Sequence, residues 1–263
     1  WGLKVLGFVN AGTLCVIAQE HKRSSEIMYE LSTKYYDVIY SFKDYKQESE
    51  LIRNYIKQQG ASYKTILDVA CGTAEHTFFL KDDYRVDGID LNSEFVEIAK
   101  LKNPEGNYYT ADMTDFQLDK KYDVVTCLFS SIGYVKTLDN VVKTLQNFKD
   151  HLNQDGIILV EPWFSPEVWN EGRTDTLTTE HNNIKMCRMS YTSKQGRISI
   201  LRFDYLFGSQ TGIEYFSEEH IMGLFSTEEL ILAFKEVDLE VQYDEQGISG
   251  RGMFVARRRG NYA

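Results

Sequence analysis

The sequence is poor in proline and has no low-complexity segment. It contains 3 prolines among 263 residues, while hydrophobic residues make up 43% and charged residues 26%. These values are typical of globular proteins, whereas disordered linkers are more polar and contain fewer hydrophobic residues. We therefore expect a chain that is folded nearly throughout, as one compact unit or as one domain with an insertion.

An excess of positive charge is also missing. The formal net charge is −10, and the basic run at 257–259 stands beside the chain end. Binding to the phosphates of nucleic acids usually needs a basic face. The composition therefore argues against RNA and DNA as partners.

Cysteines are few, and no long apolar run is present. The cysteines form no CxxC pair, so we predict neither a bound metal nor a disulfide framework, and a reducing cytoplasm fits them. The apolar start of the chain is interrupted by Lys4, Asn10 and Thr13 and lacks a basic leader. We therefore predict no membrane span and no secretory signal. The four cysteines are Cys15, Cys71, Cys127 and Cys187.

Residues 1–27 form a candidate N-terminal extension. Met28 is a candidate natural start, in which case residues 1–27 are upstream or non-native sequence. An ordinary N-terminal helix or strand is the alternative, and the sequence favours neither.

Strand-like and helix-like segments alternate from residue 50 onward. "KTILDVA", "RVDGIDL", "NYYTADM", "YDVVTCLF" and "GIILVEP" read as five strands separated by helical segments, and "LEVQYDEQ" and "GMFVARR" as the last two. Parallel strands need helical crossovers, so this alternation predicts a doubly wound, mostly parallel α/β sheet of seven strands, of the Rossmann-like class.

A different pattern follows the fifth strand. Between residues 174 and 224, polar and apolar residues alternate in four segments separated by the turn signals "HNN", "KQG" and "GSQTG". The pattern predicts an antiparallel insertion at 166–224 within an α/β domain formed by 28–165 and 225–263. The pair Ser226 and Glu229 predicts a capped helix immediately after it.

The turn in "ILDVACGTAEHTFFL" (66–80) is the candidate ligand site. In an open α/β sheet, ligands bind beyond the carboxyl ends of the strands. Asp68, Asp90 and Asp112 end the first three strands, but the dinucleotide-binding glycine pattern would need glycines at 70, 72 and 75, and only Gly72 is present. The carboxylate of Asp68 suits a cationic amino-acid group better than a pyrophosphate. The spacing therefore favours S-adenosylmethionine over NAD.

Further motifs carry a resemblance to a known family. "LDVACGTAEH", "GIDLN", "ADMTDF", "CLFSSIGYVKTLDN", "ILVEPWFSPE", "HIMGLFSTEEL" and "GISGRGMFV" resemble class I S-adenosylmethionine-dependent methyltransferases. More narrowly, they resemble the N,N-dimethyltransferases that complete desosamine and mycaminose as dTDP-sugars. The resemblance runs from about Met28 to Arg257.

The resemblance implies a role for individual residues. Asp90 would hold the ribose, with Leu91 beside it, and Tyr45 would lie near the cofactor carboxylate. Tyr40 and Tyr134 would orient the acceptor amine as catalytic residues, since a tyrosine of ordinary pKa, about 10, is a poor base at neutral pH. The remaining cofactor contacts would be Asp68, Ala70, Gly72, Asp112, Met113 and Leu128. The remaining substrate contacts would be Trp163, Arg188, Ser190, Tyr191 and Arg251, with arginines suited to a diphosphate.

The resemblance thus implies transfer of a methyl group to the amine of a dTDP-linked amino sugar, and a homodimer that uses the insertion. Two alternatives stay open: methylation of another small amine or hydroxyl, and a non-catalytic domain that binds the cofactor or a nucleotide.

Ala74 stands where the family usually has a third glycine. A positive φ at alanine would cost about 1 kcal/mol or more. We therefore predict that Ala74 lies in the first helical turn with negative φ; a positive φ would indicate a strained loop and weaken the case for an intact cofactor site.

Overall fold

The alternating segments form a seven-stranded sheet in the computed structural model, which describes residues 35, 38–40, 42–60 and 62–260. The predictions for residues 1–27 and Met28 lie outside these residues. The strands are β1 (Thr65–Val69), β2 (Arg85–Asp90), β3 (Tyr108–Thr110), β4 (Tyr122–Cys127), β5 (Leu152–Val160), β6 (Thr174–His181), β7 (Ile184–Gln195), β8 (Ile198–Ser209), β9 (Gly212–Gly223), β10 (Leu239–Asp244) and β11 (Met253–Arg258).

The helices of the described residues begin, with one exception, where a polar side chain caps the first turn. They are α1 (Tyr45–Gln58), α2 (Glu75–Leu80), α3 (Ser93–Lys102), α4 (Leu138–Asp150) and α5 (Thr227–Glu236), with a 3-10 helix at Ser131–Val135. Asn92 accepts hydrogen bonds from two amides of α3, and Ser226 and Glu229 form the predicted capping box of α5. No helix of the described part is both long and apolar enough to cross a membrane.

The order of the main sheet is β10-β11-β5-β4-β1-β2-β3. β1 pairs in parallel with both β2 and β4, and β11 runs antiparallel to both β5 and β10. The predicted doubly wound fold is confirmed. Because the chain proceeds outward from β1 in one direction and from β4 in the other, the carboxyl ends of β1 and β4 flank the crevice where ligands bind in such sheets.

Alternate residues of the central strands face two separate apolar layers. Leu67 of β1 packs in a core with Phe148 of α4 and Phe234 of α5. Ile66 faces the other way, into a core that includes Ile52 of α1. The strand period of two therefore buries both faces of the sheet, as a parallel sheet requires.

The insertion is a four-stranded antiparallel sheet in the order β6-β7-β8-β9. Its turns lie at the predicted signals, with positive φ at Asn182, Asn183 and Gly196. One face packs against Tyr35, Val38 and Ile39, which precede α1, and Tyr35 stacks on Phe207 with ring centroids 4.0 Å apart. We call this covered face of the insertion its inner face and the opposite face its outer face.

Candidate active site

The turn after β1 contains three alternating residues in the left-handed region. The φ angles are 58° at Ala70, 55° at Gly72 and 59° at Ala74. The amide of Cys71 donates to the Ile89 carbonyl at 3.0 Å, and the amide of Ala74 donates to the Cys71 carbonyl at 2.9 Å. The turn is therefore held against the end of β2 by backbone hydrogen bonds.

The prediction of a negative φ at Ala74 is wrong. Ala74 is fully buried and is the left-handed N-cap of α2, with no side-chain cap. Its carbonyl accepts a hydrogen bond of 3.1 Å from the buried side-chain amide of Asn103, which follows α3. This conformation costs alanine about 1 to 2 kcal/mol, so the loop is strained. A tertiary contact compensates for what the local sequence disfavours.

Ala74→Gly should stabilise the protein. Glycine adopts positive φ without a steric penalty and is a better N-cap than alanine. Relief of the left-handed alanine, about 1 to 2 kcal/mol, exceeds the lost burial of one methyl group, about 0.8 kcal/mol. We expect the free energy of unfolding in urea to rise by about 0.5 kcal/mol. Ala99→Gly, in the buried face of α3, should lower it by about 2 kcal/mol, because it loses both helix propensity and a buried methyl group; a loss at position 74 as well would contradict this account.

Asp90, at the end of β2, receives a backbone donor on each carboxylate oxygen. The amide of Gly72 donates to one oxygen at 2.8 Å, and the amide of Asn92 donates to the other at 2.9 Å. Burial raises the pKa of Asp90, and these amide donors partly offset the effect. Each carboxylate oxygen can accept a second hydrogen bond, so Asp90 can take two vicinal hydroxyls. The neighbouring Leu91 is 71% exposed.

Asp68, at the end of β1, is 5% exposed. It accepts a hydrogen bond of 2.8 Å from the Thr126 hydroxyl. Burial raises the pKa of Asp68, against the lowering effects of His76 and of the Thr126 hydrogen bond, and Asp90 raises it further. A cationic group is the ligand chemistry that would offset this desolvated charge.

A charged network not foreseen from the sequence borders Asp68. The Glu48 carboxylate of α1 contacts both the His76 ring nitrogen, at 2.8 Å, and the Lys43 ammonium, at 3.1 Å. The Tyr45 ring lies edge-on to His76 with centroids 5.0 Å apart. Burial lowers the pKa of Lys43, against the raising effect of Glu48. The structure thus brings Tyr45 to the first turn of α2, as its predicted role requires, and that role stays a prediction.

The thiols at this edge are unsuited to nucleophilic catalysis. Burial raises the pKa of both Cys71 and Cys127, and Asp68 raises each further. A thiol of raised pKa stays protonated and is a weak nucleophile. Within the residues that the structure describes, no group of three or more His, Cys, Asp or Glu side chains is arranged to hold a metal ion.

β3 is shorter than its sequence suggested and ends at Thr110. Asp112 therefore lies in the following loop, is exposed, and accepts hydrogen bonds of 2.8 Å from the amide and the hydroxyl of Thr114. Met113 is half-buried against the core. The amide of Ala111 donates to the Asp90 carbonyl at 2.9 Å, so this loop starts beside the end of β2.

The ends of β4 and β5 are joined through Glu161. Its carboxylate accepts from the Phe129 amide at 2.7 Å, from the Arg251 guanidinium at 3.2 Å and from the Ser249 hydroxyl. Phe129 has a φ of 52°, and Leu128 before it is buried. Glu161 therefore fixes the backbone beyond β4 and holds the predicted phosphate ligand Arg251 in place.

Tyr40 stands between this edge and the insertion. Its ring lies edge-on to Phe129 with centroids 5.6 Å apart. Burial and the charge of Glu218 raise the pKa of Tyr40, while Arg188 lowers it. The hydroxyl of Tyr40 is therefore neutral at physiological pH, which suits it to orient an amine and not to act as a base. Arg188 also lies over the Phe203 ring, 4.3 Å from its centroid.

Strand alternation separates the residues predicted on β7. Ser190 is buried and shares a face with Arg188, whereas Tyr191 is 47% exposed on the opposite face. The structure therefore does not bring Tyr191 to the other two. Trp163 follows β5 and donates its indole N–H to Ser199 of β8 at 2.9 Å, so it ties the two sheets together.

Several site residues were missed from the sequence. Glu161 lies in "EPWF" and His220 in "HIMGLFS", so motif resemblance could have indicated both. Lys43 and Glu218 carried no comparable signal, because each depends on which distant elements pack together.

Comparisons with known proteins agree with this geometry. Residues 66–156 match a methyltransferase domain family. The chain is 33% identical to the dTDP-3-amino-3,6-dideoxy-alpha-D-glucopyranose N,N-dimethyltransferase of Streptomyces fradiae, over 84% of this chain and 88% of that protein. It is 31% identical to the dTDP-3-amino-3,4,6-trideoxy-alpha-D-glucopyranose N,N-dimethyltransferase of Streptomyces venezuelae, over 87% of this chain and 98% of that one.

Solved structures lead to the same group. Streptomyces venezuelae DesVI superposes with a TM-score of 0.81 at 28% identity, covering 91% of this chain and 98% of DesVI. S-adenosylmethionine-bound CalS10, an amino pentose methyltransferase of Micromonospora echinaspora, superposes with a TM-score of 0.77 at 28% identity, covering 82% and 92%. The fold is therefore shared with these two structures over most of the chain.

Proposed function

The chain belongs to the S-adenosylmethionine-dependent methyltransferase family that includes the dTDP-amino-sugar N,N-dimethyltransferases, and from that premise we propose that it methylates the amine of a nucleotide-linked amino sugar. It is an enzyme, and its cofactor is S-adenosylmethionine. The observation that supports the acceptor most directly is the position of Tyr40, packed on Phe129 at the carboxyl end of β4 and facing the arginine-bearing side of the insertion.

The chain's own residues fit the cofactor. Asp90 keeps acceptor capacity on both carboxylate oxygens for the ribose hydroxyls, and Asp68 offers a desolvated negative charge for the amino group. The exposed Leu91, with Ala70, Gly72, Asp112, Met113, Leu128 and Tyr45, would complete the contacts. When bound, the cofactor supplies an activated methyl group on a sulfonium.

One contribution of the protein to the chemistry is to orient the acceptor amine. Aligning an acceptor nitrogen within a site can supply about 7 to 11 kcal/mol of the barrier. The hydroxyls of Tyr40 and Tyr134 would orient the amine, and Trp163 would wall the pocket. The guanidinium of Arg251 has five N–H donors, so its bond to Glu161 leaves others for a phosphate. Arg188 and Ser190 would contact the nucleotide from the inner face of the insertion.

The outer face of the insertion suits a homodimer. It exposes the apolar side chains Met189, Tyr191, Leu206, Tyr215 and Ile221. We propose that residues 166–224 use the inner face for substrate and this outer face for dimerisation, in which case Tyr191 would meet a nucleotide only at that interface. Light scattering in solution, reading the molar mass, tests this. From the family membership we also propose that the protein acts in the cytoplasm.

The acceptor is tested with a panel of amino dTDP-sugars and S-adenosylmethionine, read by mass spectrometry. Gains of one or two methyl units on an amino dTDP-sugar, and none on the matching sugar without an amine, are expected. Methylation of free amines or hydroxyls without dTDP binding, measured by calorimetric titration, would contradict the nucleotide-linked acceptor.

The affinity for S-adenosylmethionine should fall on acidification. Asp68 must be ionised to pair with the ammonium group, and its pKa is raised by burial. The attraction is therefore complete above that raised pKa and is lost as pH falls through it, at higher pH than for an ordinary aspartate. Calorimetric Kd values between pH 5 and 8 measure this. Asp68→Asn should bind more weakly at pH 8 with a flatter profile, the exposed Asp119→Asn should follow the wild type, and a Kd independent of pH would contradict the role of Asp68.

A further inference from the structure

A chain of hydrogen bonds runs from Tyr134 into the inner face of the insertion. The Tyr134 hydroxyl lies 2.5 Å from Nδ1 of His220, and Nε2 of His220 lies 3.2 Å from the Glu218 carboxylate. Tyr134 is 44% exposed, while the side chains of His220 and Glu218 are 21% and 16% exposed. This series of hydrogen bonds therefore begins at the accessible surface and ends at a mostly buried carboxylate on β9.

The partners set the direction of these bonds. A carboxylate only accepts, so Nε2 of His220 carries the proton that it donates to Glu218. Nδ1 then accepts the proton of the Tyr134 hydroxyl. The Tyr134 oxygen can in turn accept a hydrogen bond on its exposed side, where an N–H group of the substrate amine would approach.

The 3-10 helix is held tightly enough to keep this alignment. A Cβ atom at Gly133 would come within 2.9 Å of Met222 on β9 and 3.0 Å of Trp163. The close approach of the helix to β9 therefore depends on glycine immediately before Tyr134. That approach places the Tyr134 hydroxyl against His220.

The groups around His220 keep Glu218 ionised. Burial by itself would raise the pKa of Glu218, but the hydrogen bond and charge of His220, the 2.7 Å hydrogen bond from the Tyr205 hydroxyl and the charge of Arg188 outweigh it and lower the pKa. The titratable and charged groups around His220 and Glu218 are Tyr134 from the 3-10 helix, Tyr205 on β8, Arg188 on β7 and Tyr40 before α1.

We propose that His220 and Glu218 form a proton relay behind Tyr134 that deprotonates the acceptor's ammonium group before methyl transfer. The inference rests on the proposed amine acceptor. Aliphatic amines have pKa values of about 8 to 10 and arrive protonated, whereas only the neutral amine has the lone pair that attacks.

Each proton has a defined destination. The ammonium N–H passes its proton to the Tyr134 oxygen as the Tyr134 hydroxyl proton moves to Nδ1 of His220. Tyrosine is thereby unchanged, the imidazolium pairs with Glu218, and His220 later releases the proton to water. His220 and Glu218 are positioning residues, because they act through Tyr134.

The test compares His220→Gln and Glu218→Gln with wild type in kcat and KM for a dTDP-linked amino sugar between pH 6.5 and 9.5. At pH 7 we expect kcat to fall about 10- to 100-fold, a general-base contribution, with KM nearly unchanged. Near pH 9.5 at least about a quarter of the amine in solution is already neutral, so kcat should return to within about fivefold of wild type. Glu219→Gln, the same change on the outer face of β9, should keep the wild-type profile.

Calorimetric binding of S-adenosylmethionine shows that each variant is folded, and the near-isosteric Glu218→Gln carries the test if His220→Gln does not fold. A loss of equal size at every pH, or no loss at pH 7, overturns the relay. If the wild type methylates no amino sugar, the proposed acceptor is overturned and the relay with it. If the wild type methylates an amino sugar but the variants lack the pH-dependent loss, only the relay is overturned.

Discussion

Asp90→Ala should weaken S-adenosylmethionine binding by about 100- to 10,000-fold. Asp90 already orders two loops at this edge, through Gly72 and Asn92, while keeping acceptor capacity on both oxygens. Two hydrogen bonds to a charged acceptor contribute about 1.5 to 3 kcal/mol each. Since about 1.4 kcal/mol corresponds to a tenfold change in Kd, their loss gives at least two orders of magnitude.

Calorimetric titration measures this Kd, with circular dichroism to show that the variant is folded. Asp112→Ala is the matched comparison, because Asp112 is an exposed carboxylate in the loop after the neighbouring strand β3 and accepts hydrogen bonds from Thr114 of the same loop. We expect it to change the Kd by less than about tenfold, the effect of one hydrogen bond at most. A Kd of Asp90→Ala within threefold of the wild-type value would contradict the assignment of Asp90 to the ribose.

Glu161→Ala should lower the free energy of unfolding by about 3 kcal/mol. The Glu161 side chain is 4% exposed and accepts from Phe129, Ser249 and Arg251. Removing one partner of a buried ion pair costs about 3 to 5 kcal/mol, because the other charge is left uncompensated. The Arg251 side chain is one-fifth exposed, which places the expected loss at the lower end.

Urea unfolding at pH 7 measures the effect. Glu161→Gln keeps the shape and one acceptor oxygen, so its loss should be smaller, while the exposed Glu171→Ala should leave the unfolding free energy unchanged. The alanine variant should also lose turnover, since the Phe129 amide that Glu161 anchors precedes the segment bearing Tyr134. Equal stability of Glu161→Ala and wild type would show that Arg251 finds another partner.

Strand periodicity and helix capping were readable from the sequence because both depend on neighbours within four residues. Asp68 and Asp90 were placed at strand ends by the apolar runs that precede them, and the structure puts them there. The Ser226 cap and the alternating insertion were likewise correct. Motif resemblance then indicated a methyltransferase, which the comparisons confirm.

Only the tertiary structure decided how these parts meet. Ala74 is left-handed, and its carbonyl accepts a hydrogen bond from Asn103, 29 residues away. The Tyr134–His220 contact spans 86 residues and the Glu161–Arg251 pair spans 90. Tyr191 turns from the inner face because side chains alternate along a strand, and nothing in its sequence indicates which side would be covered. Local patterns specify the elements, whereas contacts between them depend on which faces the sheet order and crossovers bring together.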